Sequence, residues 1–115
     1  MLNDTQVVPP RFSPYKQFFG VTIPNCLLKY PDLSPSAKLL WGRLAQYAGD
    51  RDHCWPSQKT LADELGVSVR NIRYLLTELV TKGFLERQAP QGTARLRHET
   101  SCYFFVLHPI FSDEV

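Results

Sequence analysis

The chain has 115 residues, a formal net charge of +2, 43% hydrophobic and 21% charged residues, so composition describes an ordinary globular domain with one modest core. No apolar run reaches membrane-spanning length, and the N-terminus lacks the basic start and apolar middle of a signal peptide. A cytoplasmic location with no membrane partner is therefore expected. Cys26, Cys54 and Cys102 are odd in number and widely spaced, which argues against a disulfide framework. His53-Cys54 and His98-x3-Cys102 lack the CxxC element of a structural zinc site, so neither metal nor cofactor is expected.

Residues 1–18 are polar and proline-rich (Pro9, Pro10, Pro14) and read as an extended arm. Phe12, Tyr15, Phe18 and Phe19 are too apolar for a purely solvated tail, so part of the arm is expected to pack on the body or on a partner. Residues 19–111 read as one domain, and 112–115 as an acidic tail. Within the domain, 19–23 read as a short strand beside a later hairpin, and Pro24 opens a helical turn that ends at Pro31. Ser34 and Pro35 are a cap and a first helical residue. That helix reaches Ala48, stops at Gly49, and turns Leu40, Trp41, Leu44, Ala45 and Ala48 inward. Asp50, Arg51, Asp52 and His53 read as a solvated connection.

The run from Trp55 to Gly83 is the richest in signal. Ser57 caps a helix with Leu61, Ala62 and Leu65 at helical spacing, and Gly66 ends it. Val67 lies in the turn. Ser68 caps a second helix over 69–82, stopped by Gly83. Ile72, Leu75, Leu76 and Leu79 form its buried stripe. At about 100° per residue the opposite face holds Arg70, Arg73, Tyr74, Thr77 and Thr81, with Asn71 on its flank. Arg can hold guanine, and Asn adenine, through paired hydrogen bonds in the major groove of DNA. The plain alternative is a solvated helix face.

After Gly83 the period changes to that of strands. Residues 84–88 read as one strand, and 100–107, TSCYFFVL, as its return. The connection, about 89–99, is long for a hairpin and carries Arg95, Arg97 and His98. It is either a basic tip that lies along phosphates or an ordinary surface loop. Cys102, Phe104 and Val106 alternate with Tyr103, Phe105 and Leu107, so both faces of the return strand need cover. The arm, the Ile110-Phe111 tail or a second subunit can provide it, and a homodimer is the favoured expectation.

Charge is concentrated rather than large. Residues 68–98 hold six basic residues against Glu78 and Glu86, giving +4, whereas 1–67 give +1 and 99–115 give −3.

The pattern Trp55-Pro56-Ser57, Leu61-Ala62, Gly66-Val67-Ser68, Ile72, Leu76, Leu79 and Lys82-Gly83-Phe84-Leu85 resembles the bacterial winged helix-turn-helix domains of plasmid and phage replication initiators and small transcription regulators. The family more often has Thr at Asn71 and a smaller residue at Tyr74. The resemblance covers about 19–111. It implies an α+β, mainly α fold of about three to four helices plus a β-hairpin wing, and double-stranded DNA as partner. On that reading Arg70, Asn71, Arg73 and Tyr74 touch base edges. Ser57, Lys59, Ser68, Thr77, Arg95 and Arg97 complete the contact set, largely on the backbone. The competing reading is a protein-interaction or oligomerisation module, since the same fold serves both uses. No P-loop, GxSxG, HExxH or His-x-His pair is present, so neither catalysis nor a small-molecule substrate is expected.

Overall fold

The computed structural model describes residues 8–97 and 100–112. The chain runs α1 (Pro14–Gln17), α2 (Asn25–Lys29), α3 (Pro35–Ala48), β1 (His53–Cys54), α4 (Gln58–Leu65), α5 (Val69–Thr81), β2 (Leu85–Gln88), α6 (Gly92–Leu96), β3 (Cys102–Phe105) and a 3-10 turn at Pro109–Phe111.

Serine caps start the three long helices. Ser34 accepts the Ala37 N–H, Ser57 the Thr60 N–H and Ser68 the Asn71 N–H, each satisfying a donor that the first helical turn leaves open. Gly66 ends α4 in the left-handed region, φ 69°, and its turn brings Ser68 round as the next cap after one apolar residue, Val67. The helix α5 ends at Thr81, one residue earlier than the sequence suggests, with Lys82 as its C-cap.

The α5 stripe packs on α3, α4 and β2. Ile72, Leu75, Leu76 and Leu79 are buried with Leu40 and Leu44 of α3, Leu61 of α4, and Phe84, Leu85 and Tyr103 of the hairpin. Polar ties fix the angles between helices. The Ser34 N–H and hydroxyl donate to the Glu78 carboxylate at 2.6 and 2.7 Å, and Lys82 pairs with Asp32 at 3.0 Å. Arg43 of α3 meets Glu64 of α4 at 2.6 Å, and the Tyr47 hydroxyl donates to the same carboxylate.

The sheet is antiparallel in the order β1-β3-β2, with Leu85 opposite Phe105, Arg87 opposite Tyr103, and His53 opposite Phe104. Its third strand corrects two expectations. Residues 19–23 form no strand; Val21 and Ile23 instead run close over α3 at Gly42. A Cβ on Gly42 would lie 3.1 Å from Ile23 and 3.2 Å from Val21. The edge beside β3 is taken by His53–Cys54, which the reading as a solvated loop missed. The short link after α3 delivers these residues to β3, where the Asp52 carbonyl accepts the Phe105 N–H at 2.9 Å.

Two further expectations change. The arm is not extended throughout, because Ser13-Pro14 opens the four-residue α1. The long hairpin connection folds in part into α6; His98 and Glu99 lie outside the described residues. The return strand is covered only in part from within this chain, since Val106 and Leu107 stay exposed. Tyr103 is 1% exposed. Phe105 meets Trp41 edge-on at 5.4 Å, and Phe111 packs on both Trp41 and Phe84. On the other side His53 stacks on Phe104 at 5.2 Å and lies 5.7 Å from Trp55.

All three cysteines are free, and burial pushes the Cys54 thiol up to about 11. Among the described residues no helix is long and apolar enough to cross a membrane, and no three His, Cys, Asp or Glu groups gather as a metal would need.

Candidate nucleic-acid interface

Helical spacing places Arg70, Arg73, Tyr74 and Thr77 on the solvent side of α5, and all four are exposed. Asn71 is half-buried at the flank. The two arginines are held differently. The Arg70 guanidinium lies 5.8 Å from the Tyr74 ring centre and 3.4 Å from its hydroxyl, one turn along the helix and fully in solvent reach. Arg73 leans the other way. Its Nε donates to the Gln58 side chain at the start of α4, at 3.0 Å.

The serines divide between capping and contact. Ser57 spends both roles locally, since its oxygen accepts the Thr60 N–H and its hydroxyl donates to Thr60 Oγ1 at 2.8 Å. Ser68 accepts the Asn71 N–H at 3.0 Å, which leaves its hydroxyl proton able to donate to an incoming oxygen. Lys59 is exposed but pairs with Asp63 at 3.2 Å, so its charge is partly answered within α4. Lys38, at the start of α3, donates to the Leu28 carbonyl at 2.8 Å. Arg95 stands in the last turn of α6, and Arg97 follows as the cap of that helix.

The two acids of the basic stretch stay off the face. Glu78 points back to Ser34. Glu86 sits on the sheet face opposite Arg87, by strand alternation. Arg70 and Arg73 are thus left as the exposed charge of α5, with Arg87 on the face of β2 turned toward that helix. Between α5 and the hairpin lies a concavity of about 490 Å³, lined by Gln58, Arg73, Leu76, Thr77, Val80, Arg87 and Tyr103.

Sequence reasoning passed over Gln58 and Arg87. The signal for Arg87 was available. With Leu85 buried, period-2 alternation puts Arg87 on the helix-facing side of β2, where an apolar residue is the usual occupant. Gln58 carried no such signal, because its role depends on where α5 lies against α4.

Three helices around one core, the last two joined by a tight turn and followed by an antiparallel hairpin, make a winged helix-turn-helix fold. Residues 32–85 match the family model described as a helix-turn-helix domain. Protein YmfN of Escherichia coli (strain K12) is 33% identical over 54 residues, which is 47% of this chain but 12% of that much longer protein. A solved structure described as "Structure of Rep-DNA complex" aligns over 85% of this chain and 84% of its own, with a TM-score of 0.58 and 16% identity. At that identity the likeness is one of fold.

Proposed function

We propose that this chain binds double-stranded DNA in a sequence-specific way, with α5 in the major groove. The observation that carries the reading is the sorting of charge on α5 and β2: Arg70 and Arg73 are exposed on α5 and Arg87 faces that helix from β2, while both neighbouring acids are turned away. Base edges fall to Arg70, Asn71 and Tyr74, on the first turns of α5. Arg73, expected from sequence to read bases, is assigned to the backbone because Gln58 holds it toward the hairpin. Ser68 and Thr77 join it there. Arg95 and Arg97 serve as the basic tip of the wing, and Lys59 and Ser57 lie at its margin. The winged fold, and the DNA named with the solved structure that shares it, support this reading.

The role is that of a transcription regulator or of the DNA-binding part of a replication initiator. Selection from a random duplex pool tests it, comparing the wild type with Arg70→Ala/Asn71→Ala. The wild type is expected to enrich one motif, and the variant to lose about 1–3 kcal/mol of discrimination per bidentate contact removed. An inverted repeat in that motif points to a two-fold homodimer and a regulator. Tandem direct repeats point to an initiator. No enrichment by either protein refutes specific reading.

The second reading, an interaction module, draws on the arm. Tyr15, Phe18 and Phe19 are 96, 67 and 104% exposed, which is unusual for aromatics near a folded body. The same residues support a homodimer as the assembly that binds DNA.

A further inference from the structure

The concavity between α5 and the hairpin has the chemistry of an oxyanion seat. Arg73 enters from α5, its guanidinium fixed by Gln58 rather than free to sweep. Arg87 enters from β2, exposed and without an ion pair to any described residue. Thr77 contributes a hydroxyl on the helix side. Tyr103 forms part of the lining although it is 1% exposed, and its hydroxyl makes no hydrogen bond within the described structure. That hydroxyl is not sealed from solvent, so it opens on the concavity as a donor for an acceptor from outside.

Two arginines, a threonine and a phenol are all donors, and no carboxylate lines the space. Arginine is the side chain best suited to hold a phosphate through paired bonds. A bland explanation exists for Arg87 alone: β2 is an edge strand, and an inward charge discourages pairing with another chain. It does not account for the unpartnered Tyr103 or for Arg73 being anchored toward the same space.

We infer that Arg73, Arg87, Thr77 and Tyr103 form a phosphate-binding seat between α5 and the hairpin, filled by one backbone phosphate of bound duplex DNA. This rests on the DNA-binding reading above and adds the position on the protein that sets the register of the helix on the duplex.

The test is a salt series of binding to a random-sequence duplex, followed by anisotropy, for the wild type, Arg87→Gln, Tyr103→Phe and Arg70→Ala. Loss of one phosphate contact lowers the slope of log affinity against log salt by about 0.9, and Arg87→Gln is expected to show that loss. Tyr103→Phe is expected to weaken binding while leaving the melting temperature near the wild-type value, because the hydroxyl makes no hydrogen bond within the described structure. A purely structural tyrosine would not weaken binding with the melting temperature unmoved. If Arg87→Gln keeps the wild-type slope while Arg70→Ala weakens binding, the seat is refuted and DNA binding stands. If the wild type binds no duplex, the DNA reading itself fails. Inorganic phosphate is the separating arm. Stabilisation of the wild type but not of Arg87→Gln by phosphate, with an unchanged DNA slope, assigns the seat to a free oxyanion and overturns the DNA source.

Discussion

Single side chains in this protein act mainly by answering a specific open valence. Glu64 receives Arg43 and Tyr47 from the neighbouring helix, and the Arg43 hydrogen bond, with help from Tyr47, holds its carboxyl below the usual carboxylate range against the opposing effect of burial. The folded pKa is lower than the unfolded one, so between the two values the unfolded chain binds more protons. The resulting stability is present above the ordinary carboxylate value and is lost as pH falls through the folded value. Glu64→Gln is accordingly expected to melt below the wild type at neutral pH, with the gap closing in acid. Thermal melts across the acid range check this, and a gap independent of pH would refute it. Glu78 is a parallel case. It anchors Ser34, and that same contact removes a negative charge from the face of α5. No sequence pattern distinguishes such a residue from a solvated glutamate, because its partner lies 44 positions away.

At the scale of elements, the turn between α4 and α5 decides how the exposed face of α5 is presented. Gly66 sits at φ 69°, and a Cβ there would meet nothing within 4 Å. Substitution by alanine therefore carries backbone strain without a clash. Gly66→Ala is expected to cost about 1–2 kcal/mol, read by urea unfolding. A neutral result would mean that the turn relaxes to another conformation, and α5 would then be set by packing rather than by the turn. The helices were legible because serine caps, glycine stops and a 3.6-residue stripe are local signals, and Ser34, Ser57, Ser68 and Gly66 all act where the sequence placed them. The strand His53–Cys54 was not legible. Two residues are too few to show alternation, and their pairing depends on β3 arriving from about 50 positions later.

The whole molecule is longer than its core requires. Its radius of gyration is 18.4 Å, against about 13 Å for a compact chain of this length, and its extents are 73 × 37 × 25 Å. The excess comes with an arm whose described residues, 8–18, are exposed and which carries Phe12 packed edge-on against Phe18, 5.4 Å apart. Phe18→Ser/Phe19→Ser is expected to leave the melting temperature of the body unchanged, since neither ring is part of the core. If the arm joins two copies, sedimentation will shift the variant toward a single chain relative to the wild type. An unchanged sedimentation profile, with a dimeric wild type, would move the contact elsewhere on the body. Trp41 and Phe111 cover one face of the sheet, whereas on the other His53, itself in β1, and the half-exposed Trp55 only flank Phe104.

The sequence by itself determined the helix-turn-helix, its caps and stops, the hairpin that follows, and the set of cations on the outer face of α5. Each of these is written in spacing over a few residues, and the physics that enforces it is equally local. Tertiary structure alone decided which arginine faces where. Arg70 and Arg73 are equivalent on a helical wheel, yet one stays with Tyr74 on α5 and the other is drawn to Gln58 on α4. It also decided that Arg87 and Tyr103, from two strands, share one space with α5. Such proximity depends on how helices and sheet pack around a common core, and no period along the chain encodes it.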